Sequence, residues 1–191
     1  MKKGLLIVLS GPSGVGKGTI RELFIYKPEL NITFSISMTT RKQRENEIDG
    51  VHYKFVDEAR FLDAIENNEL LEYAQFVGNY YGTPMDEVER LRNSGKNVLL
   101  EIEVQGALQV KERCPDALMI FVVPPSMGEL RRRILNRKTE SEDVIQQRLA
   151  KAQKEMELTG QYKYVVCNDD PQLAADIISV IIARHNETIL E

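Results

Sequence analysis

Leu5-Leu6-Ile7-Val8-Leu9-Ser10-Gly11-Pro12-Ser13-Gly14-Val15-Gly16-Lys17-Gly18-Thr19 is the stretch from which the rest of the chain can be read. The run Leu5 to Leu9 is too short for a buried helix and stops at Ser10-Gly11-Pro12, which predicts a strand covered on both faces. Lys2 and Lys3 precede it, yet five apolar residues fall short of the roughly 7–15 that a secretory signal needs. Gly11 to Lys17 has the spacing G-x-x-x-x-G-K of a phosphate-binding loop between a strand and a helix. In such a loop the glycines allow backbone conformations closed to other residues, so that successive N–H groups point at phosphate oxygens. The helix start adds partial positive charge, and Lys17 adds a full one. The strict pattern places Ser or Thr after the lysine. Here that place is Gly18, and the hydroxyl arrives one position late, at Thr19.

Outward from this loop, short apolar runs alternate with longer helical patterns. Leu5 to Leu9, Val98 to Ile102, Leu118 to Val123 and Tyr164 to Cys167 are expected to be strands buried on both faces. Lys17 to Lys27, Val104 to Arg113, Ser126 to Arg137 and the tail from Pro171 are expected to be helices. In the tail, Leu173, Ile177, Val180 and Ile181 recur at helical intervals and are the stripe expected to face a sheet. The alternation predicts an α/β fold with a parallel sheet flanked by helices. Residues 35–92 break the rhythm. They carry turn residues at Asp49-Gly50 and Asn79 to Gly82, strand-like pieces at His52 to Val56 and Leu70 to Val77, and an Asp57-capped helix to Asn67. This is the pattern of an inserted, mostly β lobe. A second insertion, about 126–158, is charged and helical, with Arg131, Arg132, Arg133, Arg137 and Arg148 and a helix start at Ser141. The core is then about 1–34, 93–125 and 159–191, within one domain.

The 191 residues are 42% hydrophobic and 28% charged, with a net charge of −4. Nothing global therefore draws the chain to nucleic acid or to an anionic membrane, and a phosphate site must be built locally. No apolar run approaches the roughly 20 residues of a membrane span. Cys114 and Cys167 lack metal-ligand spacing and are expected to be reduced, mostly buried thiols of a cytoplasmic protein. His52 and His185 show no evident chemistry.

Beyond the loop, Phe34-Ser-Ile-Ser-Met-Thr-Thr-Arg41-Lys-Gln-Arg44, Asp49-Gly50-Val-His-Tyr53 and Gly78-Asn-Tyr-Tyr81-Gly82-Thr83-Pro84 follow in order. So do Glu101-Ile-Glu103-Val-Gln-Gly106, Arg137-Lys-Thr-Glu140 and Val165-Val-Cys-Asn168-Asp169. Together these runs resemble the bacterial guanylate kinase family along almost the whole chain. The resemblance implies a P-loop nucleoside monophosphate kinase that reversibly moves the γ-phosphate of ATP to GMP, and to dGMP, giving ADP and GDP in purine metabolism. It implies a GMP lobe at about 35–92 and a lid at about 126–158. Arg41, Arg44, Tyr53 and Tyr81 would hold the GMP phosphate. Ser37, Glu72 and Thr83 would read guanine, with Gly82 and Glu103 beside them. Lys17, Arg41, Arg133, Arg137 and Arg148 would act on the transferring phosphoryl group. Gly11 to Thr19 would cradle ATP, with Asn168 near adenine. Magnesium would be held through phosphates and water, near Thr19 and Glu101.

Elementary chemistry agrees with that set. A dianionic phosphate calls for an arginine fork with tyrosine hydroxyls as neutral donors. Guanine offers N1–H and an amino group that one carboxylate can accept together. Adenine lacks both, and a site built for those bonds rejects such an analogue by about 10⁴-fold. Two departures stand out: Glu101-Ile-Glu103 where the family carries Asp-x-Asp, and Lys138 where it carries Gly. A non-catalytic module that docks proteins is the first rival reading, and the intact Lys17 loop weighs against it. A kinase for another monophosphate is the second, and Ser37, Glu72 and Thr83 weigh against that. No obligate protein partner is evident.

Overall fold

The computed structural model describes residues 2–76, 78–135 and 142–188. Its centre is a five-stranded sheet of β1 (Leu6–Ser10), β2 (Ile32–Phe34), β7 (Asn97–Glu101), β8 (Leu118–Val123) and β9 (Tyr164–Cys167), in the order β2-β7-β1-β8-β9. Every pairing is parallel, with Leu6 opposite Val98 and Ile7 opposite Leu118. Strand alternation divides β1 between two cores. Leu5, Ile7 and Leu9 join Ile20, Phe24, Ile178 and Ile182 under α1 (Lys17–Phe24) and α7 (Pro171–Thr188). Leu6 and Val8 join Val88, Val104, Ala107 and Val110 under α3 (Met85–Asn93) and α4 (Val104–Arg113). Apolar residues on both faces explain why the strand reads as an unbroken run.

The second sheet, in the order β4-β3-β6-β5, is built from β3 (Met38–Thr39), β4 (Lys54–Phe55), β5 (Leu70–Phe76) and β6 (Asn79–Pro84). It packs on α2 (Glu58–Glu66), whose Phe61 and Ala64 meet Met38 and Leu70. Asp57 caps α2 by accepting from the Arg60 amide at 2.7 Å, as its place before the apolar pattern predicts. Two further helices, α5 (Met127–Leu135) and α6 (Glu142–Met156), share a small core of Leu130, Ile134, Ile145 and Ala152.

Five expectations are corrected. Asn79 to Gly82 is not a turn but the start of β6, and the chain reverses near Gly78, whose φ is +75°. The first helix ends at Phe24 rather than Lys27, because Pro28 holds the residue before it extended. β9 lies at the sheet edge, so Val165 stays half exposed and only Val166 is fully covered. Cys167 is accordingly exposed, and Cys114 is only partly covered. Of the expected stripe, Leu173, Ile177 and Val180 face solvent and Ile181 packs partly against the core, while α7 buries Ala174, Ala175, Ile178 and Ile182. That helix carries two apolar stripes, and the narrower alanine-bearing one fits against the neighbouring α1. The expected helix start at Ser141, with Arg137 and Lys138, lies outside the described residues.

Candidate active site

The loop after β1 turns back on itself at glycines whose φ angles are +146° at Gly11 and +100° at Gly16. A Cβ on Gly11 would stand 2.3 Å from the Val122 carbonyl, and one on Gly16 2.5 Å from the Asn168 amide nitrogen. Neither position can carry a side chain without moving the loop. α1 starts at Lys17, which puts unpaired N–H groups of its first turn at the loop. The Lys17 ammonium donates to the carbonyls of Gly11 (2.6 Å) and Pro12 (3.3 Å), folded over the loop it would share with phosphate. Burial pushes its pKa down, while Glu101, Glu155 and Glu103 pull it up.

Three side chains brace this loop from behind and above. Asn168 is almost fully buried, and its amide donates to the Val15 carbonyl at 2.7 Å. Its Oδ1 is also buried and has no hydrogen-bond partner among the described residues. Arg133 of α5 donates to the carbonyls of Val15 (3.1 Å) and Asn168 (2.9 Å), with Glu129 on its Nε at 2.7 Å. Hydrogen bonds from Arg132 and then Arg133 hold the Glu129 carboxyl down at about 2. Arg148 of α6 donates to the Ser13 hydroxyl at 2.6 Å. Gly14, Gly16, Thr19, Arg133, Asn168 and Pro171 line a cleft of about 420 Å³ along this face of the loop.

A second cleft, of about 470 Å³, separates the two sheets and is lined by Ser37, Tyr53 and Thr83 on one side and Arg21, Phe34 and Glu101 on the other. Behind Thr83 lies Glu72. The two residues face each other across the β5–β6 ladder, and the Thr83 hydroxyl donates to Glu72 Oε1 at 2.5 Å. Glu72 is 7% exposed, and burial raises its pKa against the lowering pull of that hydroxyl. At the outer end Arg41 forms a two-pronged pair with Glu47, at 2.7 and 3.0 Å, and its guanidinium lies 5.4 Å from the Tyr53 ring centroid. Tyr81 packs edge-on against Tyr53 at 6.2 Å. The Arg41 guanidinium, then the Arg44 backbone N–H, bring the Glu47 carboxyl to about 2.

Most of the residues singled out in the sequence thus fall into two groups around the two clefts. Ser37, Arg41, Tyr53, Glu72, Tyr81, Gly82 and Thr83 belong to the second sheet or its loops, while Lys17, Thr19, Arg133, Arg148 and Asn168 gather at the glycine loop. The side chain of Arg44 points to solvent. Glu103 is drawn off toward α6, where it pairs with Lys151 at 2.8 Å. Glu101 ends β7 between the clefts and pairs with Arg21 at 2.8 Å. Sequence reasoning passed over Arg21, Ser35 and Glu47. Arg21 stands one helical turn after Lys17, a spacing that could have flagged it. Ser35, beside the second cleft, has a buried hydroxyl with no partner among the described residues. Nothing in the local pattern marks Glu47.

A sequence model of the guanylate kinase family matches residues 3–184. A guanylate kinase of Bacillus cereus is 54% identical over 181 residues, covering 95% of this chain and 88% of its own. That of Enterococcus faecalis is 53% identical over 185 residues, covering 97% and 91%. Among solved structures, the guanylate kinase of Anaplasma phagocytophilum superposes with a TM-score of 0.69 at 36% identity, covering 96% of this chain and 87% of that one.

Proposed function

The chain belongs to the guanylate kinase family, and on that premise we propose how its own residues move the γ-phosphoryl group of ATP to GMP. It is a nucleoside monophosphate kinase of guanylate kinase function. ATP lies with its phosphates in the Gly11–Thr19 loop and its base toward the Asn168 cleft. GMP fills the cleft between the sheets. Its phosphate meets Arg41, Arg44, Tyr53 and Tyr81, and its base meets Ser37, Glu72 and Thr83. The observation that carries the reading is the buried Glu72–Thr83 pair, a carboxylate with one oxygen already bonded inside the wall of the second cleft. An ionised carboxyl so placed calls for donors in pairs, and guanine supplies N1–H and the 2-amino group.

The chemistry asks for position and charge rather than a covalent intermediate. Lys17 supplies positive charge to the oxygens that gain negative charge during transfer. Arg133, Arg137 and Arg148 belong to segment 126–158, which we read as a lid whose arginines add charge and exclude water. Residues 35–92 are the acceptor lobe of the same scheme. For magnesium, the donors at hand are the Glu101 carboxylate and the Thr19 hydroxyl, which line one cleft with Lys17. Among the described residues no group of three or more His, Cys, Asp or Glu could hold a metal ion. Hard oxygen donors in so small a number suit magnesium held mainly by phosphate oxygens and water. Bound there, it would neutralise phosphate charge.

The test is ADP formation with GMP, dGMP, IMP and AMP as acceptors. GMP should exceed AMP in kcat/KM by about 10⁴-fold, with IMP, which keeps N1–H but lacks the amino group, between them. Equal use of GMP and AMP would overturn the guanine reading while leaving the kinase.

A further inference from the structure

The base-reading carboxylate does not stand alone in its sheet. β5 is the edge strand of the second sheet, so among the described residues the backbone groups on its outer side have no strand to pair with. The helix α4, which belongs to the parallel core, takes that place. The Gln109 side chain acts there as one residue of a missing strand. Its Nε2 donates to the Tyr73 carbonyl at 3.0 Å, and its Oε1 accepts from the Tyr73 N–H at 3.1 Å. One turn on, the Arg113 guanidinium donates to the Leu70 carbonyl. Leu71, between those anchors, is buried in the α4 side of the central core rather than in the core of its own sheet. Glu72 is therefore flanked on both sides by residues that α4 holds.

One turn before Gln109, the helix presents a glycine to the carboxylate itself. A Cβ on Gly106 would lie 2.8 Å from Glu72 Oε2, 3.5 Å from its Cδ and 3.6 Å from its Cγ. Thr83 holds the other oxygen at 2.5 Å. The carboxylate is thus set between a hydroxyl on β6 and a bare stretch of helix. A side chain at 106 larger than hydrogen must push the carboxylate aside.

We propose that Gly106 and Gln109 are positioning residues for guanine selection, with α4 fixing where the Glu72 carboxylate stands. The inference rests on the reading of Glu72 as the residue that accepts from guanine. Neither residue touches the base. Gly106 leaves the carboxylate its place, and Gln109 holds the strand that carries it.

Gly106→Ala is the informative variant, because alanine is favourable in a helix and the obstructed atom is a side-chain end, so the fold should survive. Displacing a reacting contact by about 1 Å weakens it by up to about 10²-fold. The expected result is an increase in KM for GMP of about 10- to 100-fold with KM for ATP unchanged, and a matching fall in the GMP-to-AMP preference. Gln109→Ala should shift the same quantities in the same direction. Should that variant fail to fold, Gly106→Ala still decides. The same substitution in a Glu72→Ala background should do almost nothing further, since no carboxylate remains to be struck. If Glu72→Ala alone abolishes the preference but Gly106→Ala acts equally in both backgrounds, or not at all, the positioning role falls and the Glu72 reading stands. If Glu72→Ala leaves the GMP-to-AMP preference intact, the Glu72 reading falls and the positioning role with it.

Discussion

At the level of single residues, three charged groups are held in unusual states by their surroundings, and each makes a claim that can be measured. Lys17 is partly buried at the glycine loop, with two backbone carbonyls as partners. Lys17→Ala should lower kcat by at least about 10²-fold while the melting temperature changes little, since what it removes is charge on the transferring group. Steady-state turnover and a thermal melt of the same sample check both halves. Glu72 has a pKa raised by burial, so it takes up a proton at a higher pH than an exposed glutamate does. Only the ionised form can accept from both guanine donors. The kcat/KM for GMP should therefore fall as pH drops, starting above the ordinary carboxylate range. The GMP phosphate also titrates, near about 6, but its contribution is common to wild type and to Glu72→Gln. Their ratio isolates the glutamate, and a ratio flat with pH would detach Glu72 from base recognition. Glu47 runs the other way. Its pKa lies at about 2, so the stability from its pair with Arg41 is fully present above the usual 4.5 and disappears as pH falls toward 2. It was invisible in the sequence because its partner is found by a loop, not by a helical or strand spacing.

The elements were legible where one periodicity dominated and obscure where two competed. β1 and β8 follow directly from unbroken apolar runs, and α4 was bounded correctly at both ends. In α7 Leu173, Ile177 and Val180 form one stripe, and the two alanines Ala174 and Ala175 with Ile178 form another, smaller on average. Size suggests the first and packing chooses the second, because the helix lies close beside α1. Adjacent residues therefore make a clean comparison. Ile178, fully buried, should cost about 2–5 kcal/mol on replacement by alanine. Ile177, at 41% exposure, should cost less than about 0.5 kcal/mol. Urea denaturation of the two variants would decide it, and equal losses would contradict the assigned face. The site was legible in a similar, partial way. Its glycine loop is a contiguous motif, but the bracing of that loop by Arg133 and Asn168 joins residues far apart in the chain. No local pattern reports such contacts.

For the molecule as a whole, the reading of 126–158 as a lid makes a claim about shape. α5 and α6 have their own small core and meet the glycine loop through Leu130 and Ile134 beside Gly14 and through polar contacts from Arg133 and Arg148. The polar contacts exchange readily for phosphate, so a bisubstrate analogue should draw this segment toward the second sheet. Small-angle scattering should then give a smaller radius of gyration with the analogue than without it, and identical profiles would remove the motion. The strand order of the central sheet carries a consequence of another kind. β1 pairs with β7 and β8, and the entire second sheet lies between β1 and β7 in the chain. During synthesis, the fully buried strand β1 leaves the ribosome well before its neighbours and lacks its β7 partner until residue 97 and beyond have followed. It must spend that interval unpaired, at the stage when a bare hydrophobic strand is most apt to join the wrong neighbour. The nascent chain, more than the finished enzyme, is where this architecture is exposed to failure.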